Sequence, residues 1–400
     1  MEKIVIAGDI HEGINFGYRI DPESGLSERA LDIHRNFARA AEYAIEANAA
    51  LFIIAGDLFD RTHISPAFRE LVRRDVIEPL GRNNIKIWIL AGNHDQPRND
   101  KRGTSIEDFR GYPHVKIFRR PSIEIAEIDS TRTGFIILPY MHPEQIAELV
   151  REKTTLEISQ EQLISAGQEL LKEWLRKKAQ ELNSYEHKIM LAHYYIEGAK
   201  LRETAYPEVL PGEFSLRRDM IPSNLDLAVF GHVHLHQSMG RQGSTEIIYT
   251  GAVERIDWGE RGDKKGFIAI DTSTWKWEFK SLPAREMLKI EVEVKPGEDP
   301  TQVILNAIPE VKDKLVRLEV LLSEGQRQKI IDRRIEEKLQ SAFHSELKYA
   351  ERSSAKTGFA EFTLNPYELL SKFINTNYSS HPKKEALLEE GMKALMEVLK

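Results

Sequence analysis

An α/β fold is what this sequence predicts, and three observations predict it. Short apolar runs, with the length and β-branched content of buried strands, recur from residue 3 to residue 270. Stretches with helical apolar spacing separate the early runs, which gives strand–helix–strand units whose strands should lie parallel. Several of the runs also end alike, in a small residue followed by Asp, Asn or His, and the ends of parallel strands gather at one sheet edge, where sites are built.

The first run covers residues 3–7 and closes on Gly8-Asp9-Ile10-His11. Asp9 and His11 are spaced i, i+2, so both should point the same way on an extended backbone. Alone, the pair reads more readily as a surface loop than as a site. Ser27 has the chemistry of a helix N-cap, and Leu31, Phe37, Ala41, Ala44 and Ile45 give an apolar face over residues 27–48. His34 lies near that face and reads as structural. The second run, residues 50–55, ends in Gly56-Asp57-Leu58-Phe59-Asp60. Ser65-Pro66 starts a helix to about Pro79, and the third run, 85–90, ends in Ala91-Gly92-Asn93-His94-Asp95. Residues 115–118, 123–128 and 135–138 read as antiparallel strands, and 143–182 as mainly helical. Residues 188–192 close on His193, and 225–230 on Gly231-His232-Val233-His234. His236 extends that alternation as an exposed residue. Strands follow at 247–251 and 266–270. Trp275, Trp277 and Phe279 then alternate with charged residues as a half-buried strand whose aromatics are core.

Four hundred residues exceed one ordinary core, so two or three domains are expected. The balance of 56 basic and 63 acidic residues gives a net charge of -7, so contact with nucleic acid would have to be local rather than a general basic field. A cluster of that kind, Arg98, Lys101 and Arg102, follows the third ending; it could hold phosphates, and a solvated loop explains it as well. No apolar stretch is long enough for a membrane span, and the chain runs straight into its first strand, so neither a membrane anchor nor a signal peptide is expected. The sequence has no cysteine, which excludes disulfides, thiolate metal sites and iron–sulfur clusters and fits a reducing cytoplasm.

Asp9, His11, Asp57, Asn93, His193, His232 and His234 supply two carboxylates, four imidazoles and an amide oxygen. A single ion with three or four protein ligands cannot use them all. Two ions can if a carboxylate bridges, and Asp57, on the most central strand, is the best bridge. A divalent pair about 3.5–4 Å apart suits in-line displacement at phosphorus. His94 is left over beside Asn93 and could protonate the leaving oxygen. Asp95 could accept from His94 and hold its ring. Nitrogen and oxygen ligation without sulfur suits manganese, iron or zinc.

Asp9-x-His11, Gly56-Asp57-x-x-Asp60, Gly92-Asn93-His94-Asp95, His193 and Gly231-His232-x-His234 resemble, in order and spacing, the five motifs of calcineurin-like metallophosphoesterases over residues 1 to about 280. Within that superfamily, Ala192-His193-Tyr194-Tyr195-Ile196-Glu197-Gly198 and Tyr249-Thr250-Gly251-Ala252-Val253-Glu254-Arg255, with Gly259-Glu260, are similar to segments of the SbcD-type double-strand-break repair nucleases. The resemblance implies a four-layer αββα nuclease core over residues 1–283 and a small α/β DNA-capping domain over 284–355. It further implies a helix-loop-helix over 356–400 that docks on an SbcC-type ABC ATPase through residues 365–400. One metal would take Asp9, His11, Asp57 and His234; the other would take Asp57, Asn93, His193 and His232, with manganese preferred. His94 would be the catalytic acid, with Asp95 and Asp60 behind the ligands. Some members carry a second functional His three residues after the bridging Asp; here that residue is Asp60. The implied activity is exonucleolytic on double-stranded and endonucleolytic on single-stranded DNA, by a homodimer in the cytoplasm at the nucleoid.

Beyond residue 283 the pattern is strand (288–294), short helix (300–308), strand (315–322), charged helix (326–342) and strand (347–351). Asn365-Pro366 then reads as a helix start with Leu370, Phe373 and Ile374 on its apolar face, and Leu388, Met392, Leu395, Met396 and Leu399 mark a second helix. Two such helices bury little against each other, so they either fold back or dock on a partner. Two other functions stay open: a small-molecule phosphodiesterase or phosphatase of the same superfamily, and a DNA-end-tethering scaffold with structural metals.

Overall fold

The computed structural model describes residues 2–14, 16–17, 19–99, 102–152, 159–203, 208–209 and 213–352, and beyond these only 370, 384, 388 and 390–392. The chain divides into two units, Met1–Met287 and Leu288–Lys400.

The first unit opens with β1 (Lys3–Ala7), α1 (Glu28–Glu46), β2 (Leu51–Ile54), α2 (Pro66–Val72), α3 (Glu78–Arg82), β3 (Lys86–Leu90) and β4 (Val115–Phe118). A π-helical turn, Arg73–Ile77, joins α2 to α3 and widens the backbone just ahead of Pro79, which has no N–H to give to a regular ladder. There follow β5 (Ser122–Ile128), β6 (Thr131–Leu138), α4 (Pro143–Arg151), α5 (Gln160–Glu181), β7 (His187–His193) and β8 (Leu227–Gly231). The unit closes with β9 (Gln237–Gln242), β10 (Thr245–Tyr249), β11 (Lys265–Asp271) and β12 (Lys276–Leu282).

These strands build two six-stranded sheets, in the orders β12-β11-β1-β2-β3-β4 and β5-β6-β7-β8-β10-β9. β1 to β4 run parallel in the first, and β6, β7, β8 and β10 run parallel in the second. Alternate residues of a strand face opposite ways. Ile4, Ile6, Ile53 and Leu90 therefore meet Phe135, Ile137, Leu191 and Val229 between the sheets. Val5, Phe52 and Ile87 instead pack under Phe37, Val76 and Leu80 of the first helical layer. Ile136, Met190 and Phe230 pack under Ile146, Leu171 and Leu175 of the second. The result is four layers, helix–sheet–sheet–helix, as the resemblance implied.

One expectation fails. Residues 115–118 and 135–138 are not part of an antiparallel set: β4 pairs parallel with β3, and β6 pairs parallel with β7, leaving only β5–β6 antiparallel. The connection from β3 to β4 is long enough for a crossover, whereas the short link from β4 to β5 carries the chain from one sheet to the other. Trp275 also leaves the expected alternation. Its φ of 54° turns it out of β12, and it stacks on His187 with ring centroids 3.7 Å apart.

The second unit contains β13 (Met287–Glu293), α6 (Pro300–Ala307), β14 (Leu315–Leu322), α7 (Asp332–Leu339) and β15 (His344–Glu351). Its sheet has the order β13-β14-β15, over a core that includes Ile290, Val292, Ile304, Leu318, Val320 and Ile335. The charged helix is shorter than its sequence pattern. Extended backbone at Ile330 separates the 3-10 turn Arg327–Lys329 from α7. The helix-loop-helix expected over 365–400 lies outside the described residues apart from isolated positions, and so does Lys101. No helix among the described residues is long and apolar enough to cross a membrane.

Candidate metal centre

The seven ligand-type side chains follow the C-terminal ends of β1, β2 and β3 in one sheet and end or follow β7 and β8 in the other. Hydrogen bonds tie the first ending to the second: Asp9 N–H donates to Gly56 O (3.1 Å), and Ile10 and His11 N–H both donate to Asp57 O (2.9 and 3.0 Å). The backbone there is left-handed, with φ of 51° at Asp9, 54° at His11 and 50° at Asp57, and φ is 90° at His232 in the fifth ending. Asp9 and His11 thus do not share an extended strand, as their spacing suggested; a tight curl brings them together. Such backbone is costly and persists only where the surroundings hold it.

Asp57 stands between two groups of ligands. Its Oδ2 is 3.2 Å from His193 Nε2 and 3.8 Å from His11 Nε2, while Oδ1 accepts the His94 N–H at 2.8 Å. On one side, His11 Nε2 and His234 Nε2 face each other at 3.1 Å, and Asp9, His11 and His234 form a compact trio. On the other, Asn93 Oδ1 is 3.0 Å from His193 Nε2 and 2.9 Å from His232 Nδ1. Asp9 Oδ1 accepts the His232 N–H at 2.7 Å, while Asp9 Oδ2 is buried with no hydrogen-bond partner. Buried carboxylates and imidazole nitrogens converging without full hydrogen bonding form a donor set suited to divalent cations. Burial works against a charged His193, but Asp57 outweighs it and raises the ring to about 9; Glu260 does the same for His234. Burial and neighbouring imidazoles lower His232 and His11. Asp57 is held well below the ordinary carboxylate range by His193 and His94, in spite of burial.

Behind the ligands, His193 Nδ1 meets Ala55 O at 2.8 Å, His234 Nδ1 meets Glu260 Oε1 at 2.9 Å, and His232 Nε2 lies 3.3 Å from Glu213 Oε1. Neither Glu260 nor Glu213 stood out as a site residue in the sequence. A carboxylate in a loop has no periodic signature, and Glu260 is 26 residues from the ring it touches. Asp95 departs from its expected role. Its carboxylate accepts the N–H groups of Leu58, Phe59 and Gly92, each at 3.1 Å, and burial together with the Asp57 charge pushes it up to about 6. His94 is oriented instead by the main chain of Asp60, whose carbonyl is 2.6 Å from Nδ1. The Asp60 carboxylate lies 3.7 Å from His11 Nδ1. The two neighbours diverge because Asp95 turns inward to satisfy three buried N–H groups. His236 is half-buried rather than exposed, stacked on Phe279 with Nδ1 on Tyr249 O at 2.7 Å. Arg98 and Arg102 are exposed, and Arg98 is 3.6 Å from Glu144.

Residues 2–236 match the family model for calcineurin-like phosphoesterases. The DNA double-strand break repair protein Mre11 of Archaeoglobus fulgidus is 25% identical over 285 residues, covering 66% of this chain and 57% of that protein. The protein of the same name from Methanocaldococcus jannaschii is 24% identical over 267 residues, 65% of this chain and 60% of that one. The SbcD component of the SbcCD nuclease of Staphylococcus epidermidis is 24% identical over 225 residues, 55% of each chain. The chain thus spans 55% to 60% of the length of these curated relatives.

Proposed function

The chain belongs to the calcineurin-like phosphoesterases, and from that premise we propose that it is a nuclease of the Mre11 and SbcD kind. In this reading it hydrolyses DNA phosphodiesters at broken ends with two divalent cations, manganese first among them. The observation that carries it is Asp57 Oδ2, standing between His193 Nε2 and His11 Nε2 at 3.2 and 3.8 Å, where one carboxylate can serve both ions. Asp9, His11, Asp57 and His234 would hold one cation, and Asp57, Asn93, His193 and His232 the other. When bound, the pair supplies Lewis acidity and charge neutralisation at the phosphodiester.

The chain's own residues do the rest. Asp60 O accepts a hydrogen bond from the His94 Nδ1–H, so Nε2 is the nitrogen that would present a proton to the leaving oxygen. The backbone N–H of His94 donates to Asp57 Oδ1, which ties the main chain of the acid to the candidate bridge. Arg98, Lys101 and Arg102 would steer the DNA backbone. Residues 284–355 would cap the DNA, and 365–400 would dock on an SbcC-type ATPase, with the nuclease acting as a homodimer at the nucleoid.

The test is digestion of linear, overhanging and hairpin DNA by metal-stripped protein titrated with manganese, alongside nitrophenyl phosphates and cyclic nucleotides. His94→Ala should cost about 10²–10⁴-fold in rate while both cations still bind. Turnover of the small esters without any cleavage of DNA would instead make this a phosphatase or small-molecule phosphodiesterase.

A further inference from the structure

Glu260 sits in the short 3-10 turn Trp258–Glu260, which Asp257 caps by accepting the Gly259 N–H at 2.8 Å. Its side chain is 1% exposed, yet every contact is specific. Oε1 is 2.9 Å from Nδ1 of His234, and Oε2 accepts the Ile256 N–H at 3.1 Å. Lys265, equally buried at the start of β11, places Nζ 2.7 Å from Glu260 Oε2 and donates to the carbonyl of His234 at 3.0 Å. His234, Glu260 and Lys265 thus close a ring, with side chain and main chain of the histidine held at once. Two further carboxylates flank it. Asp263 Oδ2 is 4.0 Å from Lys265 Nζ, and Glu208 Oε1 is 3.9 Å from His234 Nδ1, with neither Glu208 oxygen making a hydrogen bond.

A buried Glu–Lys pair serving only the fold would not need to spend an oxygen on the second nitrogen of an imidazole. We propose that Glu260, held by Lys265, is a positioning residue for metal binding. By accepting a hydrogen bond from the His234 Nδ1–H it commits Nε2, the nitrogen facing His11 at 3.1 Å, to a cation. A carboxylate behind a ligating histidine fixes tautomer and ring angle and makes the ring a better donor. Glu260 touches neither histidine of the other set: His193 Nδ1 uses the Ala55 carbonyl, and His232 Nε2 has Glu213 at 3.3 Å. The effect should therefore fall on one cation and spare the other. This inference rests on the two-cation reading above and adds which residue sets the affinity of one of them.

The experiment is calorimetric titration of manganese into chelator-stripped, full-length protein, with the spin-coupled signal of a manganese pair read in parallel by electron paramagnetic resonance. Wild type taking up fewer than two cations would defeat the parent reading. Given two, Glu260→Gln, which keeps shape but loses charge, should weaken one binding event about tenfold and leave the other within about twofold. The double variant Glu260→Leu/Lys265→Met removes the acceptor without stranding a buried charge and should reach about 100-fold, with the coupled signal lost at limiting manganese. If the folded double variant binds both cations as wild type does, or weakens both equally, Glu260 does not position His234 for a cation.

Discussion

Gly92 shows how little room the site has at the scale of a residue. A Cβ there would overlap both Oδ1 and the backbone nitrogen of Asp57. Gly92→Ala should therefore displace the candidate bridge, costing about 1–3 kcal/mol of stability and weakening manganese uptake. Gly262→Ala, where nothing lies within 4 Å, should stay within about 0.5 kcal/mol. Denaturant titration of both variants measures the contrast, and equal costs would mean the overlap relaxes freely. Gly8, Gly56 and Gly231 act in the same way. They make room for Thr250, His193 and the Ala55 carbonyl, so they crowd motif against motif rather than backbone against an ion.

At the scale of elements, α1 is fastened to the site by His34. Its Nδ1 is 3.2 Å from Glu12, the residue after His11, and its Nε2 is 2.9 Å from Asp75 in the π-helical turn. Burial lowers this imidazole, but Glu12 and Asp75 outweigh it, so it titrates above its ordinary 6.5. A folded-state value above the unfolded one stabilises the fold fully below pH 6.5 and less as pH climbs through the raised value. The stability gap between wild type and His34→Gln should thus be widest near pH 6 and shrink toward alkaline pH, as denaturant midpoints across that range would record. A gap independent of pH would mean His34 is neutral in the fold.

The same region shows what was legible in the sequence. Apolar runs announced β1, β2, β3, β7 and β8, and the polar residues after them were visible because a buried strand fixes the position of the chain just past its end. The left-handed backbone of Asp9 and His11 was not visible, since it is imposed by N–H groups reaching Gly56 and Asp57 in another motif. Nor was the turn of Asp95 toward Leu58 and Phe59, the sheet that β4 joins, or the contact between Glu260 and His234. Each depends on partners distant in the chain, about which local pattern is silent.

At the scale of the molecule, the segment leading into β13 is clamped to α1. Arg285 grips Asp32 through two nitrogens at 2.6 and 2.9 Å, and its N–H donates to Glu254 at 3.2 Å. Arg255 holds the carbonyls of Ala284 and Arg285 at 3.3 and 2.8 Å, and fully buried Arg29 pairs with Glu254 at 3.1 Å. Asp32→Ala should release this strap. Subtilisin would then cut near residue 285 several-fold faster, while manganese uptake by the first unit stays as in wild type. An unchanged cleavage rate would show that Arg255 and Glu254 suffice.

β1 has β2 on one side and β11 on the other, with Ile4 opposite Ile270. During synthesis, the strand made first must wait for one made among the last of its unit. Every candidate ligand has left the ribosome once His234 emerges, yet the sheet that aims Asp9 and His11 still has a bare edge at that moment. A nascent chain of that length carries every candidate ligand but neither the edge strand nor Glu260. The order of synthesis thus separates the arrival of the ligands from the closing of the sheet that orients them.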